Sequence, residues 1–450
     1  MEQKEYVRWL RVNRPAASGM ALLSLIGGTL LAGAFTLLGS TGTAPAPTGP
    51  GPCVPGSCPR SYPEPHHGPL SGRDNGVNVF VGGDYAVRAA AAGAEGRVVV
   101  LGDVDVAKDA GVSPDYNIGV LATGSRVVPD DGSPFLRAGG DLKVAAGQRL
   151  VAREGPVAGT VAYAGRLHTG TVAPKAVRDA GAVAAYGAVR DRLTAASTCY
   201  AYDGGLPRRT TGSAVNRGGT TVLTGNGSST PQVFDVPFDI AAPGGGPQEV
   251  SFRNVPPGAT VLVNLTNPTG RTRTLSTAGS VTGVRREKLL WNFPDAQDVR
   301  LAGSGRLEGS VLVGRRTSTV RVSAPAVNGR LFTAGSLVHE SRAGTSGQAL
   351  YAYPFEGTLP ECGTAPTADP DDSGEPLPLP VPSGPRPPDP AGLAGPQQRA
   401  AAPAPEAPRA RRTPARSGPP MSPALALGTA LVTTGAVLAL AVLYRTRVDR

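Results

Sequence analysis

The chain has 450 residues, of which 61 are glycine and 45 are proline, so turns and linkers occupy much of it and the folded part is considerably shorter. Lysine and arginine together number 44 against 34 aspartate and glutamate residues, a formal net charge of +10 at pH 7. No window combines a basic stripe with stacking aromatic side chains, which argues against a nucleic-acid-binding protein.

Residues 1–44 have the organisation of an export signal. Basic residues come first, an apolar stretch follows at 20–38, and small residues come next. The small residues allow cleavage after Ala44, whereas Pro45 disfavours it, so a retained N-terminal membrane segment is the alternative. Both interpretations place the rest of the chain outside the cytoplasm, beginning with a Pro/Gly-rich linker at 45–73.

Four cysteines fit an exported protein, in which disulfides persist. Cys53 and Cys58 can close a small loop before the domain, while Cys199 and Cys362 can join its middle to its end. Four cysteines permit three pairings. A metal site is a poor alternative because residues 53–58 have no second cysteine pair or histidine cluster to complete four ligands. We expect neither a metal nor a cofactor.

Residues 74–363 form the working domain, in which short apolar runs alternate with glycine-containing turns. Within 98–103, for example, alternate residues can face inward, as expected of short strands. The spacing of the turn glycines, 16 to 25 residues, is near one turn of a β-solenoid, in which stacked coils bury one another's apolar faces. These glycines lie at positions 83, 102, 124, 140 and 165. The sequence therefore predicts a mainly β domain of β-solenoid type, with an immunoglobulin-like β-sandwich as the alternative.

One helix is expected at 174–198, in the middle of the domain. Apolar residues recur there near helical spacing, and charged residues occupy the other side. We expect this helix to pack along the flank of the stacked coils.

Several segments occur in the order seen in bacterial choice-of-anchor A family proteins, which this chain resembles. They are NVFVGGDY and EGRVVVLGDVDV before the helix, and PPGATVLVNLT, LLWNFPDAQDVRLAG, NGRLFTAGSL and YPFEGTLP after it. The resemblance covers roughly residues 74–363. Its most specific element contains Trp291, Asn292, Phe293, Pro294 and Asp295.

The resemblance implies a surface-displayed adhesive domain, a β-solenoid fold and no enzymatic activity. Members of the family differ in the device that fixes them to the envelope. Two features depart from the family pattern. Gly314-Arg315-Arg316 stands where the family more often has Ala-Pro, and no LPxTG sorting motif precedes the C-terminal tail, which favours anchoring in the membrane.

The motif residues are interpreted as structural. We expect Trp291 and Phe293 to seal the place where the chain enters its last coils, and Asn292 and Pro294 to shape the following turn. A carbohydrate-binding platform is the alternative, but such platforms need several exposed aromatic side chains.

Candidate catalytic groups are few. The four histidines, at positions 66, 67, 168 and 339, have no nucleophile motif beside them. Asp84, Asp103 and Asp141 could line one edge of stacked coils, as a glycosidase would require. Each follows a glycine at a bend, however, and an aspartate there more often caps local backbone amides. A calcium site in these turns lacks the regular nonapeptide of calcium-binding solenoids.

The C-terminal region predicts a stalk and a membrane anchor. Residues 364–421 contain 17 prolines in 58 positions, which favours an extended, disordered chain. Residues 422–444 are uncharged and long enough to cross a bilayer as a helix. The basic tail at 445–450 then predicts a cytoplasmic end, so that everything before the helix is external.

The preferred interpretation is a single-pass, membrane-anchored adhesive protein whose partner is an extracellular or cell-wall protein or glycan. A structural envelope protein is the second hypothesis. The third is a β-solenoid carbohydrate-active enzyme that uses the turn aspartates.

Overall fold

The computed structural model describes residues 49–54, 57–267, 269–341 and 349–362. The expected export signal, Pro-rich stalk, transmembrane helix and basic tail lie outside the described residues. Within those ranges, no helix has the length and apolar character needed to cross a bilayer.

Most described strands belong to three long sheets in which all neighbouring strands are parallel. In spatial order, the first sheet contains Ala176–Arg178, Thr160–Tyr163, Pro134–Ala138, Arg97–Val100, Val77–Val81, Leu331–Thr333, Ser310–Val313, Leu289–Phe293, Val261–Asn264 and Gln232–Asp235. The second contains Leu167–His168, Leu142–Val144, Val104–Val106, Tyr85–Ala89, Ser336–Ser341, Thr319–Val322, Asp298–Gly303 and Thr272–Thr277. The third contains Thr171–Ala173, Arg149–Val151, Asp115–Gly119, Gly93–Glu95, Ala349–Tyr351, Ala326–Asn328 and Leu307–Glu308. Parallel pairing differs from the antiparallel pairing of an immunoglobulin-like sandwich.

The chain visits the three sheets in rotation. Val77–Val81 in the first sheet is followed by Tyr85–Ala89 in the second and Gly93–Glu95 in the third. The next strand, Arg97–Val100, returns to the first sheet and pairs with Val77–Val81. We call one such passage a circuit.

The circuits do not stack in sequence order. From the first circuit the chain builds outward in one direction as far as Ala176–Arg178. It then restarts at the far end of the first sheet, with Gln232–Asp235, and builds back. The last circuit therefore lies against the first, and Leu331–Thr333 pairs with Val77–Val81.

The main core fills the space between the three sheets. In Arg97–Val100, Val98 and Val100 belong to this core, as the period-2 pattern predicts. Val99 points to the opposite face, where it is also fully buried. Burial on both faces explains why strands of the first sheet have continuous apolar sequences.

One helix, α1, spans Val189–Ala201 and packs on the outer face of the first sheet, against the strands that begin at Val261, Leu289, Ser310 and Leu331. Its buried residues Val189, Leu193, Ala196 and Tyr200 recur at helical spacing and pack against that sheet.

The predicted helix at 174–198 is correct in position but starts too early. Ala176–Arg178 is the last strand of the first sheet, and only a short 3₁₀ helix, Ala184–Tyr186, precedes α1. Gly181 and Gly187 interrupt this stretch, and glycine lowers helix stability.

The third sheet is partly covered, whereas the second is open. Tyr62 and Tyr353 pack on the outer side of the third sheet, beside Ala326 and Ala349. The remaining short elements lie around the three sheets. They are the parallel pair Gly72–Arg73 and Val127–Val128, the antiparallel pairs Arg153–Glu154 with Val157–Ala158 and Tyr202–Asp203 with Leu206–Pro207, the three strands Ser213–Asn216, Thr220–Thr224 and Glu249–Arg253, and the 3₁₀ helices Pro243–Gly245 and Arg286–Lys288.

Candidate functional site

The outer surface of the second sheet is the open face of the domain. Its outward side chains alternate with buried ones such as Val87 and Val299. The eight strands, about 4.8 Å apart, span about 34 Å, and the open part of the face ends at the last strand, where the outward Thr274 and Ser276 are buried. The outward residues of its central strands are Ala86, Arg88, Asp105, Lys143, Asp298, Arg300, Thr319, Arg321, Val338 and Glu340.

Charged side chains of both signs alternate across the open face. Arg88 Nη2 lies 2.6 Å from Asp105 Oδ2 on the next circuit. Arg321 lies 3.8 Å from a carboxylate oxygen of Asp298 and 3.7 Å from one of Glu340, on the strands at either side. Exposed pairs of this kind contribute little to stability, so these charges are available to a partner.

The turn aspartates Asp84, Asp103 and Asp141 form a ladder along the edge of the second sheet. Asp84 Oδ1 accepts a hydrogen bond from the Asp103 N–H at 2.9 Å, and Asp103 Oδ1 accepts one from the Asp141 N–H at 2.7 Å. Asp141 Oδ1 accepts the Arg166 N–H at 2.9 Å, and the Asp84 N–H donates to Ser336 Oγ at 3.1 Å. Each aspartate thus caps a backbone amide of the neighbouring circuit.

The glycine before each aspartate permits this close approach. A Cβ atom at Gly140 would lie 2.2 Å from Asp103 Oδ1, so a larger residue would displace the carboxylate. The hydrogen bond from Lys143 and the Asp141 amide hold the pKa of Asp103 below its usual value. The Arg166 amide and His168 likewise lower the pKa of Asp141. Ionised carboxylates bound to amides are suited to capping and poorly suited to act as general acids.

The motif at 291–295 lies in a strand and the turn after it. Trp291 and Phe293 are fully buried in the main core, and Trp291 Nε1 donates to the Glu308 backbone oxygen at 2.8 Å. This placement is that of packing residues and leaves no exposed ring for a carbohydrate platform. Pro294 is also buried. Asp295 follows it and accepts a hydrogen bond from the Tyr202 hydroxyl.

Asn292 has a different role from the one the sequence suggested. It lies inside the strand Leu289–Phe293, with its side chain fully buried between that strand and α1. Asn292 Nδ2 donates to the Ser197 backbone oxygen at 2.9 Å and to Asn264 Oδ1 at 2.8 Å, and the Ser197 hydroxyl donates to Asn292 Oδ1 at 2.5 Å. Asn292 therefore fixes the helix to the sheet and does not shape a turn.

The four histidines do not come together. His66 and His67 contact the loop at 123–124, and His168 Nε2 lies 2.8 Å from Asp141 Oδ2 at the end of the ladder. His339 is buried in the core, far along the chain from the other three.

His339 belongs to a buried polar cluster that the sequence did not reveal. The Tyr116 hydroxyl lies 3.0 Å from His339 Nδ1 and 2.5 Å from the Tyr85 hydroxyl. No hydrogen-bond partner occurs for His339 Nε2 among the described residues. Burial, assisted by the charge of Lys108, lowers the pKa of His339 to about 3. Burial also raises the pKa of both tyrosines.

Glu95 is a second buried group that the sequence did not single out. Its carboxylate accepts hydrogen bonds from the Ser125 hydroxyl at 2.6 Å, the Ser125 and Arg126 amides at 2.9 Å, and the Ala352 amide at 3.2 Å. Burial raises the pKa of Glu95, while the four donors favour its charged form. Glu95 stands between an alanine and a glycine, and this local sequence does not indicate a role. In the folded chain its carboxylate holds together the segments at 125–126 and 352.

Two disulfides are formed, Cys53–Cys58 and Cys199–Cys362. This is one of the three pairings that the sequence permits. The first closes a short loop ahead of the domain. The second joins α1 to the last described residues, across 163 positions of sequence.

A cleft of about 420 Å³ lies where the C-terminal half of α1 meets the turn after Phe293. Its polar lining residues are Thr194, Tyr202, Asn267, Asp295, Arg315 and Arg316. Arg315 and Arg316, two of the residues at which the sequence departs from the choice-of-anchor A pattern, therefore line this cleft. No group of three or more metal-binding side chains occurs in the described part of the chain.

The fold and its surfaces define a mainly parallel-β domain with one flanking helix and one open, charged sheet face. The chain belongs to the family described as "Putative Ice-binding-like adhesive domain", whose model matches residues 71–344. The adhesive character implied by the resemblance is thereby supported at the level of the domain. The choice-of-anchor A family itself stays a prediction.

Two solved structures of ice-binding proteins are similar to the chain. One, from an Antarctic Biological Consortium, has 16% identity and a TM-score of 0.28, covering 62% of this chain and 88% of its own. The other, from the Antarctic ascomycete Antarctomyces psychrotrophicus, has 13% identity and a TM-score of 0.24, covering 50% of this chain and 93% of its own. No curated protein matches the sequence.

Proposed function

We propose that this chain is a membrane-anchored bacterial surface protein whose external domain is a β-solenoid that adheres to an extracellular or cell-wall ligand without catalysis. The family of the domain supports adhesion. The three parallel sheets, visited in rotation, support the solenoid interpretation.

The observation that carries the proposal is the open face. Helix α1 covers several strands of the first sheet, and the third sheet is partly covered by Tyr62 and Tyr353. The second sheet instead presents charged side chains in rows, with Arg300 58% and Arg321 45% exposed. A long, flat array of charges favours contact with a polymer or a surface over enclosure of a small substrate.

The anchoring part of the proposal rests on the sequence. An export signal at 1–44 would deliver the domain outside, the stalk at 364–421 would hold it away from the envelope, and the helix at 422–444 would fix it in the membrane. The tail at 445–450 would remain in the cytoplasm.

The absence of catalysis is inferred from the turn aspartates. Asp103 and Asp141 each have one carboxylate oxygen on a backbone amide and the other on a side-chain nitrogen, that of Lys143 or His168 respectively. Carboxylates engaged in this way are not free to serve as the acid and base that glycoside hydrolysis requires.

The test uses bacteria that display the full chain, applied to arrays of glycans and matrix proteins. Specific retention is expected, and the double variant Arg300→Gln/Arg321→Gln should reduce it several-fold because both charges leave the open face. Arg217→Gln, on the turn between Ser213–Asn216 and Thr220–Thr224, is the matched control and should leave retention unchanged.

Two results would count against the proposal. Uniform absence of retention would favour a structural envelope protein. Retention that is equally strong in the Arg300→Gln/Arg321→Gln variant would move the adhesive surface away from the open face.

A further inference from the structure

The cleft beside α1 is built around a fixed guanidinium group. Arg315 Nη1 donates to the Asp295 backbone oxygen at 3.1 Å, and Arg315 Nε donates to Thr317 Oγ1 at 3.0 Å. These two bonds orient the planar group and leave further N–H donors for a ligand. Gly270 has a φ of +64°, and a Cβ there would lie 2.8 Å from Arg315 Nη1. The guanidinium thus packs directly on the backbone at Gly270.

A second cation lies at the rim of the cleft. Arg316 pairs with Asp191 of α1, but the two side chains are 51% and 63% exposed. An ion pair so exposed is weak, so Arg316 can exchange this partner for a ligand at little cost. Two adjacent arginines can hold a carboxylate through paired, charge-assisted hydrogen bonds.

The other polar groups of the cleft are mainly acceptors. The Tyr202 hydroxyl donates its proton to Asp295, and the Thr194 hydroxyl donates to the Gly314 backbone oxygen at 2.7 Å. The oxygen atoms of Tyr202 and Thr194 can still accept hydrogen bonds. Asp295 also accepts the Asn267 N–H at 3.4 Å, and its carboxylate can accept more than two bonds.

We propose that this cleft binds an acidic sugar residue of a polysaccharide. The carboxylate would lie on Arg315 and Arg316, and the ring hydroxyls would donate to Tyr202, Thr194 and Asp295. A simple inorganic anion has no donors for those acceptors, and a neutral sugar has no charge for the arginines. A volume of about 420 Å³ lies within the usual range for small-ligand pockets.

This site is separate from the open face and does not depend on it. Arg315 and Arg316 follow the first-sheet strand Ser310–Val313, whereas Arg300 and Arg321 lie on the second sheet. Loss of cell adhesion in the open-face variant and loss of saccharide binding in a cleft variant are therefore distinguishable results.

The experiment is a titration of the purified full-length chain, in mild detergent, with a galacturonic acid trimer, followed by saturation-transfer NMR. Saturable binding is expected. Arg315→Gln and Arg316→Gln should each weaken it at least about tenfold, because each removes charge-assisted hydrogen bonds. A galactose trimer should bind at least about tenfold more weakly than the acidic trimer.

The controls separate a folding defect from a binding defect. Arg217→Gln should bind as tightly as the original chain. Should Arg315→Gln lower the unfolding temperature, Arg316→Gln alone decides the outcome, because its side chain is half exposed.

Several results would overturn the proposal. They are a lack of saturable binding, binding by Arg315→Gln and Arg316→Gln as tight as that of the original chain, binding of the neutral trimer as tight as that of the acidic trimer, and binding of inorganic phosphate as tight as that of the acidic trimer.

Discussion

Tyr85, Tyr116 and His339 place three polar side chains inside an otherwise apolar core. Because His339 Nε2 has no protein partner among the described residues, a proton there would create a buried, unpaired charge. The positive charge of Lys108 opposes protonation of His339 further. The buried cluster therefore favours a neutral imidazole.

The pKa of His339 predicts a loss of stability in acid. The unfolded chain takes up the proton near pH 6.5, whereas the folded chain resists it down to about pH 3. The free energy of unfolding should therefore fall as the pH is lowered between these values, by up to about 1.4 kcal/mol for each pH unit. Urea unfolding at a series of pH values measures this slope.

His339→Gln, which cannot titrate, should lack this part of the pH dependence. His67→Gln, at a position outside the core, is the control and should keep the slope of the original chain. Identical slopes in the original chain and His339→Gln would show that His339 does not carry the effect.

Helix α1 is held to the first sheet by both apolar packing and one buried amide. Val189 and Leu193 supply the packing, and Asn292 supplies the hydrogen bonds to Ser197 and Asn264. Removal of a buried partner costs more than the bond itself contributes, because the remaining groups are left desolvated and unpaired.

Asn292→Ala should accordingly lower the free energy of unfolding by about 3 kcal/mol, since it removes three side-chain hydrogen bonds. Thermal and urea unfolding measure the change. Asn117→Ala, at a partly exposed position of the third sheet, should cost less than about 0.5 kcal/mol. A similar small change for both variants would argue against the role given to Asn292.

The sequence predicted which way side chains face within a strand better than it predicted which strands pair with one another. Period-2 alternation correctly separated Val98 and Val100 from Val99, because facing direction is a local property. The pairing of Val79 with Leu331 was not predictable, since no local pattern indicates which distant strand lies alongside. Asn292 was misread for a related reason: an asparagine close to a proline is typical of a turn, and the partner on α1 is 95 positions away.

At the candidate sites too, local features could be predicted and contacts between distant segments could not. The local Gly-Asp pattern indicated that Asp103 and Asp141 cap backbone amides, but the amides are not local ones, since they belong to the neighbouring circuit. The cleft could not be predicted, because α1, the turn after Phe293 and the Arg315-Arg316 pair are brought together only by the stacked sheets.

At the scale of the whole molecule, the Cys199–Cys362 disulfide closes most of the second half of the domain into one covalent loop. In the chain-entropy model, closing so long a loop stabilises the fold by about 5 kcal/mol. The same bond also sets how far the chain can be extended under force.

A chain pulled by its two ends should gain about 57 nm of length on reduction of this disulfide, since 163 positions at about 3.5 Å each are released. Single-molecule force spectroscopy with and without reductant measures the difference. The double variant Cys53→Ser/Cys58→Ser is the control and should add less than about 2 nm, because that bond spans five positions. Equal extension of the oxidised and reduced chains would contradict the pairing.

The meeting of the first and last circuits has a consequence for biosynthesis. A ribosome delivers Val77–Val81 early, but the strand that completes one of its two borders, Leu331–Thr333, emerges some 250 residues later. During that interval the backbone amide and carbonyl groups on one edge of Val77–Val81 are unpaired, and an edge of this kind can pair with other chains. The first sheet is therefore completed in its middle, between these two strands. A nascent chain that ends before position 331 leaves one edge of Val77–Val81 unpaired.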